Sequence, residues 1–222
     1  MPDEIIVGGV DEAGRGSLIG PLVIAGVCTP YSKIGFLKEA DVKDSKMLLP
    51  STRTRLYDLI AGIVQKVLVI EIPPIEIDDY VLHGKKLHRL NFLEAIKVAK
   101  IIDDLGAEVV YVDSADVNPT RYAEDILSFL KTKARIISEH HADSNYVIVS
   151  AASIMAKVTR DKRIEELAKK HGPLGSGYPS DPRTIKFVKD WVEKKGSMPE
   201  FIRKSWKTLK KFNLSTLDTF SK

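Results

Sequence analysis

Two adjacent acidic residues at the end of the first apolar segment are the leading candidates for chemistry in this sequence. Asp11 and Glu12 close that segment, and a glycine-flanked arginine follows at residues 14–16. Hard divalent cations such as Mg²⁺ prefer carboxylate oxygens, so the pair forms half of a candidate metal site. Adjacent side chains on a regular strand point to opposite faces, and both acids can serve one site only if the strand ends or bulges there. The alternative is a solvated acidic turn without a functional role.

Further acids follow an apolar run and precede a helical segment. Asp113 ends the apolar run at residues 109–112, and the carboxyl ends of sheet strands are where α/β proteins build their sites. Asp116 precedes an Asn-Pro pair, so a cap on the next helix explains it without a site. Asp143 stands at the start of a long helical segment, where an N-cap Asp is expected because it interacts favourably with the helix dipole.

The helix that follows Asp143 carries a polar face. At about 100° per residue, Ser150, Ile154 and Lys157 return to nearly the same face as Asp143. The rest of this helix is rich in Ala, Val and Ile, so such a face is typical of the wall of a polar site. The histidines at residues 140–141 have no Cys or His partner at metal spacing, and we interpret them as edge-of-site or surface groups.

Carboxylates from three separated segments indicate metal-assisted hydrolysis. The sequence contains no Gly-Xaa-Ser-Xaa-Gly motif, which would indicate a serine nucleophile, and no Walker-type glycine loop. A carboxylate cage suits an anionic substrate that arrives with its metal ions, and the surrounding Lys and Arg residues fit phosphate groups. Two-metal hydrolysis of a phosphodiester is the simplest hypothesis that accounts for this set.

The elements that position these residues alternate between strands and helices. Two apolar runs at residues 5–10 and 21–28 predict strands that pair as antiparallel neighbours, because little chain separates them. Strand and helix patterns then alternate as far as a long helix at residues 144–170. A turn-rich loop at residues 175–182 and basic helices complete the chain. This order predicts a mixed α/β sheet with a helical C-terminal appendage.

Composition and charge limit the class of protein. The chain has 222 residues, of which 44% are hydrophobic and 29% charged, as is typical of a globular protein with a real core. Its single cysteine, Cys28, excludes an internal disulfide framework and a cysteine-based zinc site. The net charge of +4 favours a polyanionic partner. Without a signal-peptide pattern or a membrane-spanning apolar run, we expect a cytoplasmic protein with no membrane partner.

The chain resembles ribonuclease HII in its archaeal form, because segments similar to the family's signature blocks occur in the family's order. They extend from Asp11 to about Trp206 and so cover most of the chain. The blocks occupy residues 11–16, 20–21, 44–46, 112–113, 142–143, 150–154, 156–161 and 175–179. An ordered set of this kind is far more specific than any single acidic turn. One departure is His141, which stands where relatives often carry Lys.

The resemblance implies a ribonuclease H-like fold, with a mixed five-stranded sheet flanked by helices and a small helical C-terminal subdomain. The implied boundaries are 1–178 for the catalytic domain, 179–212 for the subdomain and 213–222 for a tail. The implied activity is endonucleolytic hydrolysis of the RNA strand of RNA–DNA hybrids and at single ribonucleotides embedded in duplex DNA, leaving 3′-hydroxyl and 5′-phosphate ends. Two divalent ions, Mg²⁺ or Mn²⁺, would bind with the substrate. The residues implied as catalytic and metal-binding are Asp11, Glu12, Asp113 and Asp143.

The resemblance also implies residues that bind the substrate. Those that would read the ribose 2′-hydroxyl, largely through backbone groups, are Gly14, Arg15 and Gly16. That hydroxyl distinguishes RNA from DNA. Tyr178 would stack on the neighbouring deoxyribose at the RNA–DNA junction, whereas without the resemblance a core tyrosine is the simpler interpretation. Phosphate and site-wall roles are implied for Lys46, Ser150, Ser153 and Lys157. An ion pair along the helix is the simpler interpretation of Arg160 and Asp161.

The expected partners are RNA–DNA hybrids and DNA–RNA–DNA duplexes, bound by a monomer. Basic residues of the C-terminal helices, such as Lys204 and Lys207, suit a duplex backbone, although exposed lysines are usually only solvated. Residues 214–220 resemble a degenerate sliding-clamp-binding peptide, since the usual leading Gln is absent at Leu214 and Ser221 replaces the second aromatic residue. The alternative is a tail that packs on its own domain.

Two other functions remain open on the sequence. A different nuclease of ribonuclease H-like fold, such as a junction resolvase or an exonuclease, would share the chemistry. A clamp-associated nucleic-acid binding module without catalysis would use the basic charge and the tail, and the intact acidic set argues against it.

Overall fold

The computed structural model describes residues 4–42, 50–84 and 89–211. The strands are β1 (Ile6–Ala13), β2 (Leu22–Pro30), β3 (Lys66–Ile72), β4 (Val109–Asp113) and β5 (Arg135–Glu139). The α-helices are α1 (Ile34–Glu39), α2 (Pro50–Ile63), α3 (Pro74–His83), α4 (Arg89–Leu105), α5 (Pro119–Phe129), α6 (Ala142–Asn145), α7 (Val147–His171), α8 (Pro182–Lys195) and α9 (Lys207–Lys211). None of the helices in these ranges combines the length and the hydropathy that crossing a membrane requires.

The strands form a five-stranded mixed sheet in the order β3-β2-β1-β4-β5. β1 and β2 pair antiparallel, from Ile6 opposite Pro30 to Ala13 opposite Val23. β4 is parallel to β1, and β5 is parallel to β4. The predicted hairpin and the mixed sheet flanked by helices are therefore confirmed. Parallel strands end at the same edge of a sheet, so β1 and β4 bring their carboxyl ends together.

The hairpin packs closely against the first half of α7. A buried hydrophobic cluster includes Val27 of β2, Ile60 of α2 and Met155 of α7. Each such side chain contributes about 1.5–3 kcal/mol of burial free energy. Gly9 of β1 lies directly under the start of α7, because a Cβ at this position would be 2.4 Å from the carbonyl oxygen of Ile148. The absence of a side chain at Gly9 therefore lets α7 rest on the strand that carries Asp11.

The chain divides into two compact units, each built from separate stretches. The first comprises residues 1–13, 23–70 and 90–159, and the second comprises residues 14–22, 71–89 and 160–222. In the second unit, Leu18 and Ile19 share a buried cluster with Val188 of α8 and with Ile202. The sequence-based boundaries at residues 178 and 212 remain a prediction.

The single long helix predicted at residues 144–170 is wrong, because two helices occupy this stretch. Tyr146, with extended backbone angles of φ −125° and ψ 113°, separates α6 from α7. The N-cap of α6 is His141, so Asp143 lies inside the helix and its interpretation as an N-cap is also wrong. Capping therefore does not explain why an acid stands at this position.

The two prolines after β3 begin a helix that the sequence pattern did not predict. Pro73 is the N-cap of α3, and Pro74 occupies its first turn. A proline is well tolerated there, because the first N–H groups of a helix have no partner within the helix. β3 ends at Ile72, so the same two prolines follow the strand directly and start α3.

Candidate active site

Asp11 and Asp113 occupy equivalent positions at the ends of two neighbouring parallel strands. The ladder between β1 and β4 ends with Val10 opposite Val112, and the two acids are the next residue on each strand. Residues with the same offset in paired strands point to the same face of a sheet, so both carboxylates lie on one side. Asp11 is only 5% exposed. The sheet therefore brings two acids together in a poorly hydrated place.

Glu12 extends this acidic edge without a bulge in β1. Pairing with β2 continues in regular register as far as Ala13 opposite Val23, whereas pairing with β4 has already stopped at Val10. We expected the strand to end or bulge at the acid pair. Its pairing with β4 does end there, whereas its pairing with β2 continues without a bulge. The backbone N–H of Glu12 donates to Oδ1 of Asp11 at 2.7 Å, which fixes the orientation of that carboxylate.

Burial and like charge make the carboxyl group of Asp11 hard to ionise. Burial raises the pKa of Asp11 well above its usual value, and the charges of Glu12 and Asp113 raise it further. A hydrogen bond with Ser153 and the positive charge of Lys157 lower the same pKa, but they do not outweigh the burial. Negative charge is therefore concentrated where water screens it weakly, and a bound cation would reduce the resulting repulsion.

Asp113 joins the end of β4 to the short helix that carries Asp143. Its Oδ1 accepts a hydrogen bond of 2.8 Å from the backbone N–H of Ala142, the first residue of α6. Asp143 follows directly and is 1% exposed. His141, before them, has a left-handed backbone with φ 58°, a conformation that is uncommon for residues other than glycine and concentrates at functional sites. The turn that presents Asp143 is thus anchored to the acid at the end of β4.

Ser150 secures the junction between α6 and α7. Its side chain is buried, and its hydroxyl donates to the carbonyl of Asp143 and lies 3.4 Å from the carbonyl of Tyr146. The hydroxyl proton is directed at the main chain of the turn that carries the acid. Ser150 therefore positions Asp143, and its implied contact with phosphate stays a prediction.

Ser153 and Lys157 are the residues of α7 that reach Asp11. Nζ of Lys157 donates to Oγ of Ser153 at 2.9 Å, and Ser153 in turn hydrogen-bonds Asp11. The two residues are one helical turn apart, so they share a face. Ile154, which the helical count from Asp143 placed on the polar face, is buried in the hydrophobic core. The count was wrong because Asp143 belongs to a separate helix, whose phase does not continue into α7.

Asp116 supports the structure beside the site. It is 1% exposed and accepts hydrogen bonds from the backbone N–H of Asn118 at 2.8 Å, Nδ2 of Asn91 at 2.7 Å and Nε of Arg121 at 3.1 Å. Burial raises its pKa, but these bonds together outweigh it and lower the pKa of Asp116 to about 2. Asn118 is the N-cap of α5. Asp116 is therefore not itself the cap of α5, but it supports the start of that helix through Asn118 and Arg121.

In the second unit, Gly14 begins a tight turn whose main chain is exposed at Gly16. Its φ of 83° is in the left-handed region, and its carbonyl accepts from the N–H of Ser17 at 3.1 Å. A Cβ on Gly14 would lie 2.9 Å from the carbonyl oxygen of Pro21, so the position requires glycine both for its conformation and for space. Gly16 is exposed, and a Cβ there would meet no described atom within 4 Å. A ligand can thus approach the backbone of this turn.

Arg203 fixes the main chain of this turn through hydrogen bonds. This residue was not identified from the sequence. It is fully buried, and its guanidinium donates to the carbonyl of Arg15 at 2.8 Å and to that of Gly20 at 3.1 and 3.2 Å. The guanidinium also lies 4.9 Å from the ring centre of Trp206. Within a run of basic residues, nothing in the sequence distinguishes this buried arginine from its exposed neighbour Lys204.

Tyr178 lies on a loop that hydrogen bonds fix to the same turn and to α8. The carbonyl of Gly177 accepts from the N–H groups of Leu18 at 2.7 Å and Ile19 at 3.1 Å. The N–H of Gly177 donates to Oγ1 of Thr184 at 3.0 Å. Tyr178 itself is partly exposed, so a purely core role does not describe it.

Two predicted features lie outside the described residues. One is Lys46, to which a phosphate contact was assigned, and the other is the clamp-binding segment at residues 214–220. His140 is exposed, and its Nε2 lies 3.3 Å from the carbonyl oxygen of Val117. Its interpretation as an edge-of-site or surface group stays a prediction.

Comparison with known proteins identifies relatives over nearly the whole chain. A family model described as Ribonuclease HII matches residues 8–209. Ribonuclease HII of Pyrococcus abyssi is 44% identical over 222 residues, which cover 97% of both chains. The crystal structure of ribonuclease H2 from Pyrococcus horikoshii OT3 superposes with a TM-score of 0.87 at 43% identity, covering 96% of this chain and 99% of that one. The enzyme in a PCNA:RNase HII complex from Archaeoglobus fulgidus gives a TM-score of 0.83 at 40% identity, with 91% and 96% covered.

Proposed function

The chain belongs to the ribonuclease HII family, ribonucleases H that cut the RNA of RNA–DNA hybrids, and from this premise we propose that it is an endoribonuclease with two kinds of substrate. These are RNA–DNA hybrids and single ribonucleotides embedded in duplex DNA. The proposed reaction is metal-assisted hydrolysis that leaves 3′-hydroxyl and 5′-phosphate ends. We propose further that the protein acts as a cytoplasmic monomer in ribonucleotide excision repair and DNA replication.

The observation that carries the proposal is the acidic edge formed by β1, β4 and α6. Asp11 is buried, hydrogen-bonded by the chain around it, and surrounded by further negative charge that raises its pKa. A fold does not need such an arrangement for stability, because mutual repulsion of buried carboxylates opposes folding. Strongly perturbed groups that sit together are a feature of functional sites.

The donor set fits a hard divalent cation, Mg²⁺ or Mn²⁺. The proposed ligands are the carboxylates of Asp11, Glu12, Asp113 and Asp143, and such cations prefer oxygen donors of this kind. No three His, Cys, Asp or Glu side chains in the described parts of the chain already stand at coordinating spacing. Two bound ions would supply positive charge to the scissile phosphate and would activate the attacking water. Binding of these ions would also relieve the repulsion from Glu12 and Asp113, which contributes to the raised pKa of Asp11.

The chain's own residues keep the acids oriented and favour their charged forms. Ser153 and Lys157 oppose the effect of burial on Asp11, and the N–H of Ala142 holds the carboxylate of Asp113. The proposed reading of the 2′-hydroxyl by residues 14–16 is supported by the exposed main chain at Gly16. The fixed loop of a partly exposed Tyr178 supports its stacking on a deoxyribose.

A panel of three duplexes tests the proposal: a uniform RNA–DNA hybrid, a DNA duplex with one ribonucleotide, and an all-DNA duplex. Each is incubated with Mg²⁺, with Mn²⁺ and with chelator. We expect cleavage of the first two duplexes, only with metal, and at least about a 100-fold loss of kcat/KM in Asp113→Asn. The matched control is Asp104→Asn, an exposed acid paired with Lys100, which should leave the rate unchanged. Equal cleavage of the all-DNA duplex, or full activity of Asp113→Asn, would overturn the proposal.

We also propose that the tail at residues 214–220 binds a sliding clamp. The support is its likeness to a clamp-binding peptide and the similarity of the chain to the enzyme in the PCNA:RNase HII complex from Archaeoglobus fulgidus. Exposed lysines near the C-terminus, including Lys204 in the turn before α9 and Lys207 at the start of α9, are proposed to contact the duplex backbone.

A further inference from the structure

Arg160 contacts the loop of Tyr178 and lies against the turn at residues 14–16. It lies on α7 in the second unit and is 5% exposed. Its guanidinium carbon is 4.4 Å from the ring centre of Tyr178, well within the distance of about 6 Å at which a cation and an aromatic ring attract. Its Nη2 donates to the carbonyl oxygen of Ser176 at 2.6 Å. The side chain therefore holds both the ring of Tyr178 and the main chain that leads to it.

The same guanidinium supports the turn that begins at Gly14. A Cβ on Gly14 would be 3.1 Å from Nε of Arg160, and a Cβ on Gly177 would be 2.9 Å from its Nη2. Both glycines have positive φ angles, 83° and 81°. Their main chains therefore approach one planar group as closely as only glycine allows. The Arg160 side chain therefore packs against both the turn at residues 14–16 and the loop of Tyr178.

An ion pair with Asp161 does not account for this burial. The distance from Nη1 to Oδ1 of Asp161 is 3.3 Å, and that carboxylate is 41% exposed. Nε of Arg160 has no hydrogen-bond acceptor among the described residues. Burying a charge with a donor unsatisfied opposes stability, and apolar packing of similar volume is often no less stable. The helix-face ion pair expected from the sequence is present, but it is a minor part of the environment.

We propose that Arg160 is a positioning residue that sets the specificity for the RNA–DNA junction. The inference rests on the proposed function, in which the turn at residues 14–16 reads a 2′-hydroxyl and Tyr178 stacks on the adjacent deoxyribose. A single embedded ribonucleotide offers both features side by side, so its recognition depends on the spacing between turn and ring. A uniform RNA strand offers no adjacent deoxyribose and depends on this spacing less. Arg160 fixes the spacing because it touches both segments.

The test compares kcat/KM on the single-ribonucleotide duplex with kcat/KM on the uniform hybrid. The variants are Arg160→Lys, which keeps the charge but loses the planar fork, and Arg160→Gln, which keeps donors but loses the charge. We expect the ratio of the two kcat/KM values to fall roughly tenfold in both variants. The matched control is Arg163→Lys, because Arg163 lies on the same helix but binds Glu71 and Glu166 at 2.7 to 2.8 Å. Its ratio should stay at the wild-type value.

A double-mutant cycle with Tyr178→Ala separates positioning from general stability. If Arg160 acts through the tyrosine, Arg160→Lys should change the ratio by less than about twofold in the Tyr178→Ala background. The ratio does not depend on the folded fraction, since both substrates report on the same enzyme preparation. An unchanged ratio in the single variants, or equal losses with and without Tyr178, would overturn the inference. Failure of the proposed function would look different, because the wild type itself would then not cut either ribonucleotide-containing duplex.

Discussion

The surroundings of Asp11 raise its pKa and so oppose its ionisation, although its proposed role as a cation ligand requires the charged form. Burial first, and the charges of Glu12 and Asp113 second, raise its pKa in the folded protein. An acid whose pKa is raised in the folded protein binds its proton more tightly there than in the unfolded chain, so protonation favours folding. This contribution is fully present below the unfolded pKa of about 3.9 and is lost as the pH rises through the folded pKa. The acidic edge therefore lowers the free energy of unfolding at neutral pH when no cation is bound.

Replacing Asp11 with Asn should consequently separate activity from stability. We expect Asp11→Asn to lose at least about 100-fold in kcat/KM, because the variant lacks a proposed cation ligand. In metal-free buffer at pH 7, the same variant should unfold at a higher temperature than the wild type, and the difference should close as the pH falls toward 4. Steady-state cleavage and calorimetry with chelator measure the two effects.

The exposed control Asp104→Asn should change neither property. Added Mg²⁺ should raise the unfolding temperature of the wild type more than that of Asp11→Asn, since only binding to the native state stabilises it. A lower unfolding temperature of Asp11→Asn at pH 7 without metal would contradict the account of Asp11 as a repelled, buried acid.

At the scale of elements, the site depends on where strands and helices begin and end. β1 continues beside β2 after its ladder with β4 has stopped, which leaves Asp11 and Asp113 at the open edge. The break between α6 and α7 lets one helix present Asp143 while the other presents Ser153. A continuous helix would tie the two residues to one helical phase. Asp116 stabilises the segment that follows β4 through its bonds to the start of α5.

Asp116→Asn should destabilise this segment by roughly 1–3 kcal/mol at pH 7, because charged hydrogen bonds to Arg121 are lost. The folded pKa of Asp116 is lowered to about 2. Its contribution is therefore fully present above the unfolded pKa of about 3.9 and is lost as the pH falls through about 2. Denaturant unfolding at pH 7 and at pH 3 measures the change, which should be smaller at pH 3.

The control for Asp116 is Glu124→Gln, an exposed acid on α5. It should change the free energy of unfolding by no more than about 0.5 kcal/mol. An equal loss of stability at both pH values in Asp116→Asn would show that shape, and not charge, is what Asp116 contributes.

For the whole molecule, the net charge of +4 conceals two opposite requirements. The acidic edge in the first unit suits cations, whereas exposed lysines such as Lys204 and Lys207 in the second unit suit phosphates. The second unit also contains the turn at residues 14–16 and the loop of Tyr178, and buried Arg160 and Arg203 fix these segments. The proposed chemistry and the proposed recognition thus draw on separate cores, each with its own packing.

Deleting residues 213–222 should separate clamp binding from catalysis. Because the tail lies outside the acidic edge in sequence, the shortened protein should keep kcat/KM on short duplexes within about twofold of the full chain. Its binding to the sliding clamp, measured by calorimetry, should be lost. Retained clamp binding would contradict the proposed role of the tail, and a large loss of turnover on short duplexes would indicate that the tail packs on its own domain.

Local patterns in the sequence were sufficient for the hairpin, the mixed sheet and the acids at strand ends. An apolar run of β-branched residues bounded by turn residues predicts a strand wherever the strand lies in the fold, so Asp11 and Asp113 could be placed without further information. The ordered blocks then indicated the family, which the comparisons confirm. The two prolines after β3 were harder, because the same residues can end a strand and start a helix.

Only the tertiary structure decided which side chains meet. Helical periodicity is local and continues only within one helix, so it could not show that Ser153, and not Ile154, faces Asp11. Arg203 and Gly20 are 183 residues apart in the chain and are joined by hydrogen bonds. Arg160 meets Gly14 and Tyr178 in the same way, through packing of distant segments. The sequence by itself determined the chemistry available to this protein, whereas the packing of distant segments decided how it is held in place.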